Sequence, residues 1–425
     1  WGLGVCRSGW GYKVLLQKKL NFTTVEDSNS FLRCLWSTIR TEHLEVRWQT
    51  GKFKPVNNTI NLGYIQIENL GTFGVKAIYE QRGIVKILSF ESKEDDSKEE
   101  IVRLIDTALR NYKNSEMIYR HTFFFKSMRE RFGNIEGKNF KISTYSDGNL
   151  LSIPLRGYDS IDAFEKYREY VQPILDVLAA LTNLPWWLDN VTGDELNMME
   201  IDFEGLDENG QPWIDGLPMI DGYIQISDVG KKLIDKVLEL GFEDQNVSDV
   251  VNSCHHFHLA RKMECIAFDS IITRVVASSE DFTLVDIDES NPFLSIRPIL
   301  PESSELAVSL YCSSLEALSK LEDQPVEKCD DCGQLKFSVK KRVMGLVSKI
   351  LNESISKEYI SPMYDRRSKY LHTGNRTIER YIGSSNPQLD PLSRFGVREV
   401  QNINSLNLRE YVSYCIRDVI GRTYN

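Results

Sequence analysis

Apolar and polar residues alternate in short runs through the first third of the chain. Asn61–Leu70 (NLGYIQIENL) and Gly83–Ser92 (GIVKILSFES) are short and β-branched, the pattern of strands with one buried face. The period changes at Lys98–Tyr112. Ile101, Leu104, Ile105, Ala108 and Leu109 recur at three and four residues, which predicts an amphipathic helix capped by Ser97, with Glu100 three residues on. NFKISTYSDGNLLSIPL reads as a hairpin turning at Asp147-Gly148. A long helix is expected from about Ile161 to Leu184, ahead of Pro185. Trp186 and Trp187 then pack against or plug something.

From Asp189 to Asp244 the chain carries 15 acidic residues against three lysines, and its middle (DFEGLDENGQPWIDGLPMIDG) is rich in turn residues. The expectation there is irregular hairpins or a connector. Beyond Val247 the helical period takes over in five segments: Val247–Ser278, Ser304–Leu321, Leu335–Ser354, Ser356–Gly374 and Asn404–Tyr424. The chain is therefore expected to hold an α+β region over 1–188, an acidic, turn-rich connector over 189–246 and an all-α helical bundle over 247–425.

Composition narrows the chemistry. The net charge over 425 residues is -10, which excludes a polyanion binder by global charge. Eight scattered cysteines read as reduced thiols of a cytoplasmic protein. No apolar run reaches the roughly 18 residues of a membrane span. Cys254 and His258 sit at i and i+4, and Cys329 and Cys332 form a C-x2-C, so the four can be drawn as a zinc set. Buried thiols and a surface loop are the preferred reading. The glycines of GLGVCRSGWG lack a preceding strand and a phosphate-loop lysine, and DFEGLDENG lacks calcium-loop spacing.

Charge read locally changes the picture. Leu335–Arg380 holds eleven Lys/Arg and four acids, a local +7. Lys336, Lys340, Lys341, Arg342 and Lys369 are candidates for a nucleic-acid backbone, and a solvated basic face is the plain alternative. Within this stretch lies YDRRSKYLHTG, Tyr364 to Gly374. An RNA phosphodiester can be cut without metal by a group that moves protons near pH 7 and a fixed cation that steadies the phosphate. His372 and Arg367, spaced R-x4-H, are those residue types. Five residues along a helix is about 500°, which points the two side chains about 140° apart. Either the helix ends near His372, or two copies share one site.

The C-terminal part resembles a HEPN domain, and most the ApeA-like HEPN proteins of prokaryotic abortive-infection systems. The carriers are SLEAL (Ser314–Leu318) in one helix, a basic helix after it, and then YDRRSKYLHTG. The resemblance implies a helical dimer whose R-x4-6-H motifs face each other and cut RNA without a metal or other cofactor. Arg367, Ser368 and His372 match that motif, while Thr373 departs from it by separating His372 from Gly374. Arg366 and Tyr370 would support the site, and Glu316 would orient an arginine from the adjacent helix. The α+β region over 1–188 would sense an unknown trigger, such as a phage component. The contrasting expectation is a non-catalytic HEPN-like bundle that only dimerises or holds a nucleotide or RNA.

Overall fold

The alternating runs of the N-terminal region pair into an antiparallel sheet. In the computed structural model the residues described are 13–43, 45–51, 58–80, 83–93, 97–127, 131–145, 148–192, 219–220, 223–241, 243–277, 301–322, 339–373, 388–389, 397–398 and 404–424. Strands β1 (Lys13–Lys19), β2 (Val46–Thr50), β3 (Thr59–Ile67), β4 (Gly71–Tyr79) and β5 (Val85–Ser92) lie in the order β1-β5-β4-β3-β2. Helices α1 (Val25–Glu42) and α2 (Lys98–Asn111) share its core. Phe31, Leu35 and Ile39 of α1 and Ile101, Leu104, Ile105 and Ala108 of α2 bury with Phe73, Val75, Leu88 and Phe90 of the strands. Asn69, at φ 65°, makes the tight turn between β3 and β4 in a left-handed conformation that Asn tolerates. Ser97 precedes α2 as expected, but its hydroxyl donates to the Leu70 carbonyl at 2.9 Å rather than capping the helix.

A second five-stranded antiparallel sheet runs β10-β6-β9-β8-β7, from β6 (Met117–Lys126), β7 (Ile135–Glu136), β8 (Lys141–Tyr145), β9 (Gly148–Gly157) and β10 (Trp187–Thr192). The hairpin is β8–β9, with Tyr145 opposite Gly148; its two turn residues, 146 and 147, lie outside the described set. The expected long helix is broken at Lys166 into α3 (Ser160–Glu165) and α4 (Tyr167–Thr182). Asp159 caps α3, accepting from the Asp162 N–H, and α3 closes where the Lys166 N–H reaches the Ala163 carbonyl at 3.2 Å. Pro173 sits inside α4 and removes one of its hydrogen bonds. Trp186 does plug a core: it is fully buried, stacked on Phe132 at 4.7 Å and edge-on to Phe125 at 5.5 Å.

The remainder is mainly helical: α5 (Asp228–Leu240), α6 (Gln245–Ala277), α7 (Pro301–Leu318), α8 (Val339–Ile350), α9 (Glu353–Ile355), a π turn (Ser356–Ile360), α10 (Ser361–Thr373) and α11 (Asn404–Tyr424). The acidic stretch, expected to hold irregular hairpins or a connector, pairs Met219–Ile220 with Tyr223–Ile224 in antiparallel fashion, and helix α5 then corrects the expectation that it forms no regular helix. Ser227 caps α5 through the Gly230 N–H, and Leu233, Ile234 and Val237 bury its apolar stripe. Helices α6 and α7 run antiparallel. Ser253 and Ser314, both fully buried, exchange hydroxyl-to-carbonyl hydrogen bonds of 2.9 and 2.8 Å. At the end of α4, Asn183 turns left-handed with φ 59°. Its carbonyl accepts Arg261 Nε of α6 at 2.9 Å, and its amide donates to Glu410 of α11 at 2.6 Å.

Contacts divide the chain into two units: residues 1–120 with 154–167, and residues 121–153 with 168–425. The division falls within β6 and β9. No helix among the described residues is long and apolar enough to cross a membrane.

Candidate functional site

Helix α10 (SPMYDRRSKYLHT) places Met363 and Tyr364 inward and leaves Asp365, Lys369, Leu371 and His372 exposed. Arg367, three residues after Tyr364, lies on the same face, as helical spacing requires. Both side chains meet Glu316 of α7. Arg367 Nη1 and Nη2 donate to the two carboxylate oxygens at 2.7 and 3.0 Å, a bidentate fork. The Tyr364 hydroxyl donates to the same Glu316 Oε1 that Nη1 holds. The Arg367 guanidinium lies 5.3 Å from the Tyr364 ring centroid, within cation–π range. Burial, and then the neighbouring carboxylate, push the Tyr364 phenol up, so the ring stays protonated and remains a donor.

The fork is not saturated. Glu316 occupies the end of the guanidinium, while Arg367 Nε is buried and has no hydrogen-bond partner among the described residues. That leaves the edge formed by Nε–H and the second Nη2 hydrogen. An orphaned buried donor is uncommon in a folded protein. One helical turn before Glu316, burial pushes the Cys312 thiol up to about 12, which makes it an inert packing group.

His372 is not brought to this arginine within one chain. Helix α10 continues to Thr373, so the helical offset between the two residues stands, with about 7.5 Å of rise. His372 is exposed at the last turn, and Gly374 lies outside the described residues. Arg366 contacts Met363 Sδ at 3.9 Å. Ser368 and Tyr370 are half-buried.

The basic stripe is partly neutralised. Lys340 of α8 pairs with Asp365 of α10 at 2.6 Å, and Lys349 with Glu322 at 2.6 Å. Lys341 and Arg342 follow on α8, and Lys369 is exposed on α10; Lys336 lies outside the described residues.

Sequence reasoning missed a second polar cluster. Asp176, the one acid in the apolar run VQPILDVLAALT of α4, is 2% exposed. Its carboxylate accepts from His255 Nδ1 at 2.9 Å, His258 Nδ1 at 2.6 Å and Gln172 Nε2 at 2.7 Å. His258 Nε2 accepts the Trp186 backbone N–H at 2.9 Å, so the ring proton sits on Nδ1 and the imidazole is neutral. Burial lowers the pKa of His258 accordingly. Burial also opposes the Asp176 charge, but the two histidine hydrogen bonds outweigh it and draw its pKa down to about 2. His255 is half-exposed, and its hydrogen bond to Asp176 raises its pKa against the effect of burial.

This arrangement withdraws two members of the imagined zinc set. Both His258 nitrogens are engaged, and the Cys254 thiol is fully buried with its pKa pushed up by desolvation. Cys329 and Cys332 lie outside the described residues. Comparison of the chain with protein-family models, with curated proteins and with solved structures returns no match.

Proposed function

We propose that the protein is a metal-independent endoribonuclease whose site is built on α7 and α10. The observation that carries this reading is the Arg367 fork: held at one end by Glu316 and Tyr364, it keeps a buried, unpartnered Nε–H edge. A phosphate oxygen is the acceptor such an edge suits, because the planar guanidinium matches two oxygens at once. Arg367 is the phosphate and transition-state clamp. Glu316 and Tyr364 fix its plane. His372, exposed at the helix end, is the general acid/base for the ribose 2′-hydroxyl and the leaving oxygen.

Arg367 and His372 diverge on one helix, so the complete site takes its histidine from a second copy of the chain across a two-fold axis. The C-terminal helices then act as a HEPN-like dimer, although Gln388–Leu389 and Val397–Arg398 pair as two short strands where an all-α bundle was expected. The cytoplasmic, anti-phage setting and the sensing of a trigger by the N-terminal region rest on the family resemblance of YDRRSKYLHTG and SLEAL.

One observation favours a non-catalytic bundle. Glu316 already neutralises Arg367, and the pair straps α10 to α7 without help from His372. Incubating the purified protein with a mixed RNA pool in EDTA, beside His372→Ala, separates the two readings. The ribonuclease gives fragments with cyclic phosphate ends from RNA, none from DNA, and none from the variant. RNA left intact by both proteins, or activity restored only by added magnesium, overturns the metal-free reading.

A further inference from the structure

The face of α6 turned toward α4 carries groups that the Arg367 chemistry does not use. His255, His258 and Lys262 lie three and seven residues apart, within an arc of about 60° on the helix. The fixed point is Asp176, whose carboxylate already accepts from two histidines and Gln172.

Two donors on this face are left over. His255 spends Nδ1 on Asp176 and keeps Nε2 on the open side, its side chain 42% exposed. Lys262 is half-buried and has no hydrogen-bond or ion-pair partner among the described residues. Burial disfavours its ammonium, and the attraction of Asp176 only partly offsets this. The Lys262 charge is felt at both the His255 and the His258 ring. Helical side chains lean toward the N-terminus, so the lysine stem leads back toward the histidines.

Among the described residues, the other charges around His255 are few. Asp176 faces it from α4. On α6, His256 is half-buried, and burial followed by the His255 charge keeps it neutral. Glu316 of α7 and Lys320 of the 3-10 turn that follows it act on His256, with opposite signs. His258 is neutral, so with His255 protonated the face holds two cations and one anion.

We propose that His255 and Lys262 form an anion site on α6 that takes a phosphate group. A tetrahedral phosphate offers three acceptor oxygens, enough to meet an imidazolium Nε2–H and an ammonium together. Such a ligand supplies the counter-charge that Lys262 lacks, while Asp176 holds the imidazole with Nε2 outward. The site involves neither Arg367 nor His372 and stands apart from the ribonuclease reading. Two sources share this chemistry, the backbone of a bound strand and a free nucleotide or phosphate.

The test is imidazole ¹⁵N NMR on the full chain labelled at histidine. The probes are inorganic phosphate, 5′-AMP and a 2′-O-methyl oligonucleotide, which lacks the nucleophile for cleavage. The expected result is a shift of His255 Nε2 and a rise in its pKa on binding. Lys262→Gln should weaken the response about tenfold, the scale of one charged hydrogen bond. Asp365→Asn, outside both sites, should leave the response to inorganic phosphate unchanged. A response to the oligonucleotide assigns the strand backbone, and one to phosphate and 5′-AMP alone assigns a small ligand. No shift at His255 with any probe, or an equal response in Lys262→Gln, overturns the proposal. His255→Gln, checked for folding by circular dichroism, assigns the resonance.

Discussion

Two arginines, one in each unit, are built from the same parts and end in different states. Arg33 of α1 is held by Asp162 and lies 5.3 Å from the Tyr158 ring; Arg367 of α10 is held by Glu316 and lies 5.3 Å from the Tyr364 ring. Arg33 gives Nε to Asp162 at 2.8 Å and Nη2 to Asp162 and Glu116 at 2.7 and 2.9 Å. Burial works against its charge, but the two carboxylates outweigh that and raise its pKa. Arg367 meets one carboxylate and leaves Nε without a partner among the described residues. A fork that gives both Nε and Nη2 to carboxylates is a strap, whereas one whose Nε edge is spare can still receive an anion. The ion pair alone, visible in both, does not distinguish them.

The largest expected effect breaks the comparison at catalysis. Arg367→Lys keeps the charge but loses the fork, and turnover at saturating RNA should fall about 10²–10³-fold. Arg33→Ala should leave turnover unchanged; an equal loss in both variants would remove the distinction. Stability should rank them in reverse. Arg33→Ala strands the buried Asp162, and urea unfolding should register a loss of about 2 kcal/mol, below the roughly 3–5 kcal/mol of a fully buried broken pair because Arg33 is partly exposed. Arg367→Ala should cost less than about 1 kcal/mol, since Glu316 keeps solvent access.

Asp176 supplies a pH test within the second unit. Its folded pKa is depressed, so its contribution is present above the unfolded value of 3.8 and is lost as pH falls toward about 2. Thermal unfolding of the wild type should therefore lose up to about 2 kcal/mol across that window. Asp176→Asn should flatten the slope there. The smallest effect belongs to Lys340→Ala with Lys341→Ala. RNA binding should weaken with a salt slope shallower by less than about two units, because Lys340 is already paired with Asp365.

Where periodicity was strong, the elements were legible. NLGYIQIENL and GIVKILSFES contain most of β3 and β5, and Lys98–Tyr112 became α2. The helical patterns beyond Val247 became α6, α7, α8, α10 and α11. Helix α5 was obscured because its acidic, turn-rich neighbourhood masked a cap at Ser227 and a stripe at Leu233, Ile234 and Val237. The chain's passage between units through β6 and β9 depends on strand pairing over long sequence separations, which no local pattern encodes. At the site, Glu316 was legible as a mid-helix acid near an arginine-bearing helix. Tyr364 was not, because an aromatic on a helix reads first as core. Asp176 left a signal that went unread: a lone carboxylate in an apolar helix needs donors, and His255 and His258 share a helical face.

The reciprocal hydrogen bonds of Ser253 and Ser314 act as a mechanical index. A slip of α7 along α6 by one turn is about 5.4 Å and would break both at once, leaving two hydroxyls in a dry seam. Glu316 lies two residues beyond Ser314 on the same rod. Where the carboxylate stands along α6 is thus set by a pair of uncharged side chains that never touch the arginine it holds.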